Sequence, residues 1–411
     1  MRRRLIQLTG VCVMLTFLTG CLPMNDEKKA MMDGSGDTQN SEVVFDWETE
    51  VERLKRMKPA EVPEHLTLEV SSILKFNSDI LLSDELEDYR VPKPELTRHL
   101  FDVDKDMDSL LDVMGNPEVK KMEDRISDEI LPDGSETKVK TAELGENRSV
   151  QVRQGRFGIN QIYGTIYQTL EPMDMYADWY NTAEETLERY YREDKELSFM
   201  TSDEAKEKVT ALMSAMGIGD IGGIRCFALS RDALQQHADV MVNGMKASGR
   251  EPAEIAALPQ TVKDSDEGYY VTGNQCCKGI PFFMFGMDRA LVNYVGMIGT
   301  KIDCIITKNG IIYGSMVDLY DQGEVSGETQ ILPLGDIMEQ FIRINNDEAV
   351  AKQTIVKHMG LCYLPVLKDA DSMTFDTMPV YYILYDWQYP DSEIFQREIN
   401  VYDAETGERI Q

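Results

Sequence analysis

A helix followed by several antiparallel strands, used more than once along the chain, is the pattern that most constrains its fold. From residue 331 on, a helix is predicted over 334–344, with Ile337, Met338, Phe341 and Ile342 on one face at helical spacing. Strands are predicted at 354–364, 379–387 and 394–403, closed by a turn over Asp403–Glu408. The middle of the chain repeats the order. Thr201 and Glu204 fit a capping box, and Ala205, Val209, Leu212, Met213 and Met216 then mark one helical face. A strand at Ile224–Ser230, a helix at Asp232–Met245, a loop over 248–260 and strands at 268–272 and 280–285 follow. Lys301–Val317 reads as a hairpin turning on Asn309-Gly310, a dipeptide that supplies the positive φ of the tightest hairpin turns. Helices followed by runs of antiparallel strands argue for an α+β fold, not a doubly wound parallel sheet.

The preceding unit is more mixed. Leu66, Leu68 and Val70 alternate as in a half-buried strand. After Pro92 and Pro94 an acidic helix starts around Asp102–Asp108, continues through Leu110, Leu111 and Met114, and ends at Gly115. Asn116-Pro117 has the chemistry of a cap and first helical position, which predicts a second helix running toward Ile130. Pro132-Asp133-Gly134 reads as a turn. Ser149–Thr169 favours strands through Val150, Val152, Ile162, Tyr163 and Tyr167, and Tyr176–Glu196 reads as a helix. The expected units are 46–198, 199–330 and 331–411, in keeping with about 150 residues per domain for a chain of 411.

Residues 1–45 stand apart. Arg2, Arg3 and Arg4 precede Leu5–Gly20, which carries no charge. That run is shorter than the ~20 residues a spanning helix needs and ends in small residues, as a signal peptide does. The sequence Leu18-Thr19-Gly20-Cys21 resembles the lipobox of bacterial lipoproteins. The resemblance implies cleavage before Cys21 and a diacylglycerol thioether on its sulfur, with acylation of the new amino group often added. A second chain matters, because one acyl chain binds a bilayer only marginally. Residues 22–45, polar and aperiodic, read as a flexible tether. The expected organisation is therefore a signal peptide over 1–20, a tether over 21–45, and a folded body on the extracytoplasmic face of the bacterial cell membrane.

Charge supports that reading. Seventy-two acidic against 42 basic residues give −30, and the three arginines of the leader are its only charges, so the remainder is more acidic still. Such a surface repels nucleic-acid phosphates and anionic lipid heads. Attachment to the bilayer would then rest on the acyl chains of Cys21.

A second resemblance lies near the C-terminus. Val401-Tyr402-Asp403-Ala404-Glu405-Thr406-Gly407-Glu408 resembles the closing hairpin of PepSY-type domains. Leu361-Cys362-Tyr363-Leu364-Pro365, with Met378-Pro379-Val380-Tyr381-Tyr382, is similar to extracytoplasmic regulators of the YycH/YycI type. Lipoproteins of unknown function from Bacillota have a comparable layout. The resemblance implies protein–protein regulation at the membrane face, although YycH/YycI proteins use a transmembrane helix where this chain has the Cys21 motif.

Catalytic signatures are weak throughout. Gly217-Ile218-Gly219-Asp220-Ile221-Gly222 spells a dinucleotide fingerprint, but the helix precedes it and the strand follows, the reverse of what a pyrophosphate site requires; Gly217 fits a helix end. Asp102, Asp104, Asp106 and Asp108 mimic a calcium loop, yet Met107 and Val113 stand where Gly and Glu belong, and acids at a helix start need no metal. Cys226, Cys276, Cys277, Cys304 and Cys362 are odd in number and lack C-x-x-C spacing. Cys226, Cys304 and Cys362 sit in predicted strands as small hydrophobes, while Cys276 or Cys277 could bridge to another strand. His65, His99, His237 and His358 are isolated, with His237 on a polar helix face. No nucleophile elbow, S-x-x-K or P-loop is present. Methionines at core spacing argue against a copper site. The sequence thus names no catalytic residue, cofactor or metal ligand, and Cys21 alone as a modification site. The expectation is a non-enzymatic interaction or regulatory module that presents sheet edges or grooves to an envelope protein. A solute- or glycan-binding lipoprotein, or a hydrolase using two carboxylates, are the alternatives.

Overall fold

Two sheets, each threaded by distant parts of the chain, dominate the computed structural model. It describes residues 46–130, 136–145, 148–162, 165–170, 187, 190–283, 300–317, 319–346, 352–389 and 396–410. The leader, Cys21, the tether, the Pro132-Asp133-Gly134 turn, Tyr163 and most of 176–196 lie outside these residues. Among the described residues, no helix is long and apolar enough to cross a membrane. The fold is α+β and sheet-rich, as the helix-then-strands pattern predicts.

The first sheet has seven strands. Strands β1 (His65–Glu69) and β2 (Leu74–Leu81) form an antiparallel pair. Chain-distant β14 (Gln353–Asp369) runs parallel to β2 and antiparallel to β15 (Thr374–Gln388). β15 carries β16 (Gln396–Asp403) along one stretch and β3 (Arg90–Arg98) along another, and β3 pairs with β13 (Tyr320–Gln330). β3 holds Pro92 and Pro94 inside a strand, where each lacks a ladder donor. Hydroxyls serve their carbonyls instead: Tyr363 Oη donates to Pro92 O at 2.6 Å and Thr377 Oγ1 to Pro94 O at 2.9 Å. Helices α1 (Trp47–Arg56) and α7 (Leu334–Asn345) cover one face, burying Val51 and Leu54 with Leu334, Ile337, Met338, Phe341 and Ile342. The other face buries Cys362, Leu364, Val380, Tyr382, Leu384 and Val401 with Phe283.

The second sheet has nine strands. A meander of β4 (Lys121–Ile130), β5 (Glu136–Gly145), β6 (Arg148–Arg153) and β7 (Arg156–Asn160) meets β12 (Gly310–Val317). Next come β11 (Lys301–Thr307), β9 (Gly268–Cys277) and β8 (Ile221–Leu229), with the short β10 (Ile280–Pro281) turning back on β9. α2 (Val103–Val113) and α4 (Ser202–Ala215) pack on one face. α3 (Ile166–Thr169) and α5 (Arg231–Ala247) contribute to the core on the other, and α6 (Pro252–Ala257) packs against α5. β9 is buried along its whole length, as a central strand covered on both faces must be.

Backbone and amide bonds join the sheets. Gln275 accepts from Tyr320 N at 2.8 Å and donates back to Tyr320 O, and Gln322 Nε2 donates to Cys276 O at 2.7 Å. Phe283 N donates to Tyr363 O at 2.7 Å. Strand pairing crosses the boundaries expected at 198/199 and 330/331: β1–β3 share a sheet with β13–β16, and β4–β7 with β8–β12.

Several local expectations change. The segment after Asn116-Pro117 is strand β4, not a helix. Asn116 follows Gly115 with both at positive φ, so the pair finishes α2 and does not start a new helix. Tyr167 is in helix α3, not a strand, and Arg192 forms an isolated bridge to Ala228 where helix was expected. The 248–260 loop contains α6, started by Pro252. Of the strand expected at 280–285, Ile280–Pro281 is strand and Phe282 bridges to Tyr363, while 284–285 lie outside the described residues.

Candidate functional site: the open edge at β4

Strands at sheet edges leave a row of backbone N–H and C=O groups unpaired, so each edge calls for an account. Most here are blunted. β1 is only five residues long, β13 is broken twice by register shifts, and β8 is covered at Ala228, whose N–H donates to Arg192 O at 2.9 Å. β4 differs. It is ten residues long, contains no proline, and pairs with β5 in unbroken register from Lys121 to Ile126. Among the described residues nothing pairs with its outer side.

Pleating puts Met122, Asp124 and Ile126 on one face of β4 and Lys121, Glu123 and Arg125 on the other. Met122 is 41% exposed and Ile126 55%, and few large apolar side chains are so open. The polar residues between them are organised. Lys121 pairs with Glu123, whose carboxyl is thereby held below the usual range. Lys140 on β5 bridges Asp104 at the start of α2 and Asp124, whose Oδ1 lies 3.3 Å from Nζ. Asp104 is held below the usual range by that ammonium. This bridge sets the Met122–Ile126 face on the α2 side of the sheet.

The acidic start of α2 is a helix cap. Asp102 accepts from the N–H groups of Asp104 and Lys105, and Asp106 turns back to accept from Asp102 N at 2.7 Å. Gly217, at φ +76°, ends α4, and β8 follows it. Among the described residues no His, Cys, Asp and Glu group is arranged to hold a metal ion.

The five described cysteines are free and buried, with neither Cys276 nor Cys277 in a disulfide. Burial pushes the Cys226 thiol up to about 12 and the Cys276 thiol up to about 11, so neither is poised as a nucleophile. His237 is not on a polar face: it is 1% exposed, stacked on Tyr190 and hydrogen-bonded through Nδ1 to Tyr191 Oη at 2.8 Å. His99 Nδ1 meets Asp321 at 2.8 Å. His65 and His358, read as isolated, converge on one carboxylate. His65 Nδ1 lies 2.7 Å from Asp79 Oδ1, and His358 Nδ1 lies 3.7 Å from Oδ2. Only pairing of β2 with both β1 and β14 brings them together, so no local spacing could have shown it.

A depression of about 420 Å³, lined by Phe199, Met200, Glu204, Glu207, Lys208 and Ala211, is open to solvent. Its Glu204 carboxylate is already engaged in the capping box with Thr201. Among the described residues, β4 combines an outer side without a partner strand, an even register from Lys121 to Ile126, and two exposed apolar side chains on one face.

No family model and no curated protein matches the chain. Among solved structures, an uncharacterized protein from Eubacterium rectale ATCC 33656 is similar, with a TM-score of 0.68 at 17% identity over 90% of this chain and 99% of that one. The likeness is one of fold.

Proposed function

We propose that this chain is a lipid-anchored binding protein on the extracytoplasmic face of the bacterial membrane, and that it engages protein partners by strand addition on β4. The observation that carries the reading is the outer side of β4 over Lys121–Ile126, where no described strand pairs and Met122 and Ile126 are exposed. Added strands gain affinity from main-chain bonds and specificity from alternate side chains.

Magnitudes explain why an anchor belongs with such a surface. Each backbone bond contributes roughly 0.5–1.5 kcal/mol net, and each cross-strand side-chain pair roughly 0.2–1 kcal/mol. Association alone costs an estimated 4–15 kcal/mol. A single strand therefore binds weakly in bulk solution. Tethering both partners to one membrane raises the effective concentration toward the millimolar range and makes a weak edge sufficient. The lipid on Cys21 and the edge at β4 are, on this account, two halves of one device. The stretches that carry the resemblance to extracytoplasmic regulators, Leu361–Pro365, Met378–Tyr382 and Val401–Glu408, fall on β14, β15 and on β16 with the turn after it, and that resemblance is what suggests a regulatory role.

A photo-cross-linking residue placed at position 126 in living cells tests the proposal. We expect a covalent protein adduct there, none from the same probe at exposed Glu207, and loss of both lipid label and adduct in Cys21→Ala. Equal labelling from positions 126 and 207 would sink the strand-addition reading, and lipid label surviving Cys21→Ala would sink the anchor.

A further inference from the structure

Charged residues on an edge strand usually prevent pairing. On β4 they are ordered so that the strand complements itself. Two antiparallel copies related by a two-fold axis must pair about a residue, because side chains facing each other share a face of the sheet. With Asp124 on the axis, Met122 of one copy faces Ile126 of the other, and Glu123 faces Arg125, each pair occurring twice. Neighbouring registers do worse. Centring on Glu123 sets Lys121 against Arg125, and centring on Arg125 sets Asp124 against Ile126. Centring on Met122 leaves Ile126 opposite Glu118, outside the strand. In the Asp124 register the two axial carboxylates each have Lys140 within 3.3 Å, which offsets their mutual repulsion.

We infer that the partner added to β4 is a second copy of this chain, paired antiparallel about Asp124 so that the nine-stranded sheets join into one. The inference rests on the strand-addition reading and names its occupant. Membrane tethering presents copies to one another with their β4 edges at high local concentration.

Cysteine cross-linking in the membranes of cells producing the full chain tests it. Antiparallel partners lie 4.5–5.5 Å apart at Cα, within disulfide range. Asp124→Cys is therefore expected to give a chain–chain disulfide on mild oxidation, above any background from the parent chain, and Glu123→Cys is not. In the Asp124→Cys background, Glu123→Arg or Arg125→Glu alone places like charges opposite one another and should lower the cross-linked fraction roughly tenfold. The two together restore the opposite pairing and should restore the yield. No dimer from Asp124→Cys, or equal yields from Glu123→Cys, overturns self-pairing. Failure of the double variant to recover while it stays folded by circular dichroism does the same. If a position-126 photo-adduct then contains a different protein, strand addition stands and only the second copy is excluded. If no adduct forms at all, both fall.

Discussion

Asp79 shows how single residues acquire roles that their neighbours in sequence do not reveal. Its carboxylate lies between His65 and His358, and the hydrogen bond to His65 raises the pKa of that imidazole above its ordinary value. The sign of the linkage follows. A raised folded pKa means that the pairing favours the fold below the ordinary value of about 6.5 and that the contribution fades as pH rises through the raised value. Asp79→Asn should therefore bring the His65 titration midpoint, followed by imidazole proton resonances, down toward 6.5; an unchanged midpoint would contradict the pairing. Cysteine behaviour was partly legible: Cys226, Cys304 and Cys362 are the strand-borne small hydrophobes that their surroundings suggest. The burial of His237 was not, because the Tyr190 and Tyr191 rings that cover it come from a segment distant in sequence.

At the scale of elements, local chemistry was the better guide where the partner is also local. The Thr201–Glu204 capping box starts α4, and Asn309-Gly310 turns the β11–β12 hairpin. α7 buries the expected face. β4 misled because an edge strand with charged residues on both faces has no clear alternation, and Met122 and Ile126 share a face in either a helix or a strand. Close packing of elements makes a further point. α1 rests so tightly on α7 that a Cβ at Gly335 would lie 2.6 Å from Lys55 N and 2.8 Å from Val51 O. Gly335→Ala should cost about 1–3 kcal/mol by overpacking, read from the denaturant midpoint. Gly244→Ala, in α5 with nothing within 4 Å of the added carbon, should instead gain about 0.5–1 kcal/mol from helix propensity. Equal effects at the two positions would contradict the close contact of α1 with α7.

For the whole molecule, the α+β class was readable but the interleaving of the sheets was not. The parallel pairing of β2 with β14 joins Leu74 to Thr354, and a contact at that separation leaves no periodic trace in either segment. The consequence is a body in which β2, near the start of the described chain, is held by β14, near its end, while β4 lies at the end of the second sheet with no described strand on its outer side. The claim that this margin is a working interface is tested most directly by amide hydrogen exchange over Lys121–Ile126. The measurement would be read residue by residue on the full chain in membranes and compared with Ile126→Asp. Ile126 is 55% exposed, so the substitution should leave the fold intact. The account predicts protection of every β4 amide in the wild type and fast exchange of alternate amides in the variant. Fast exchange of those alternate amides in the wild type as well would contradict it.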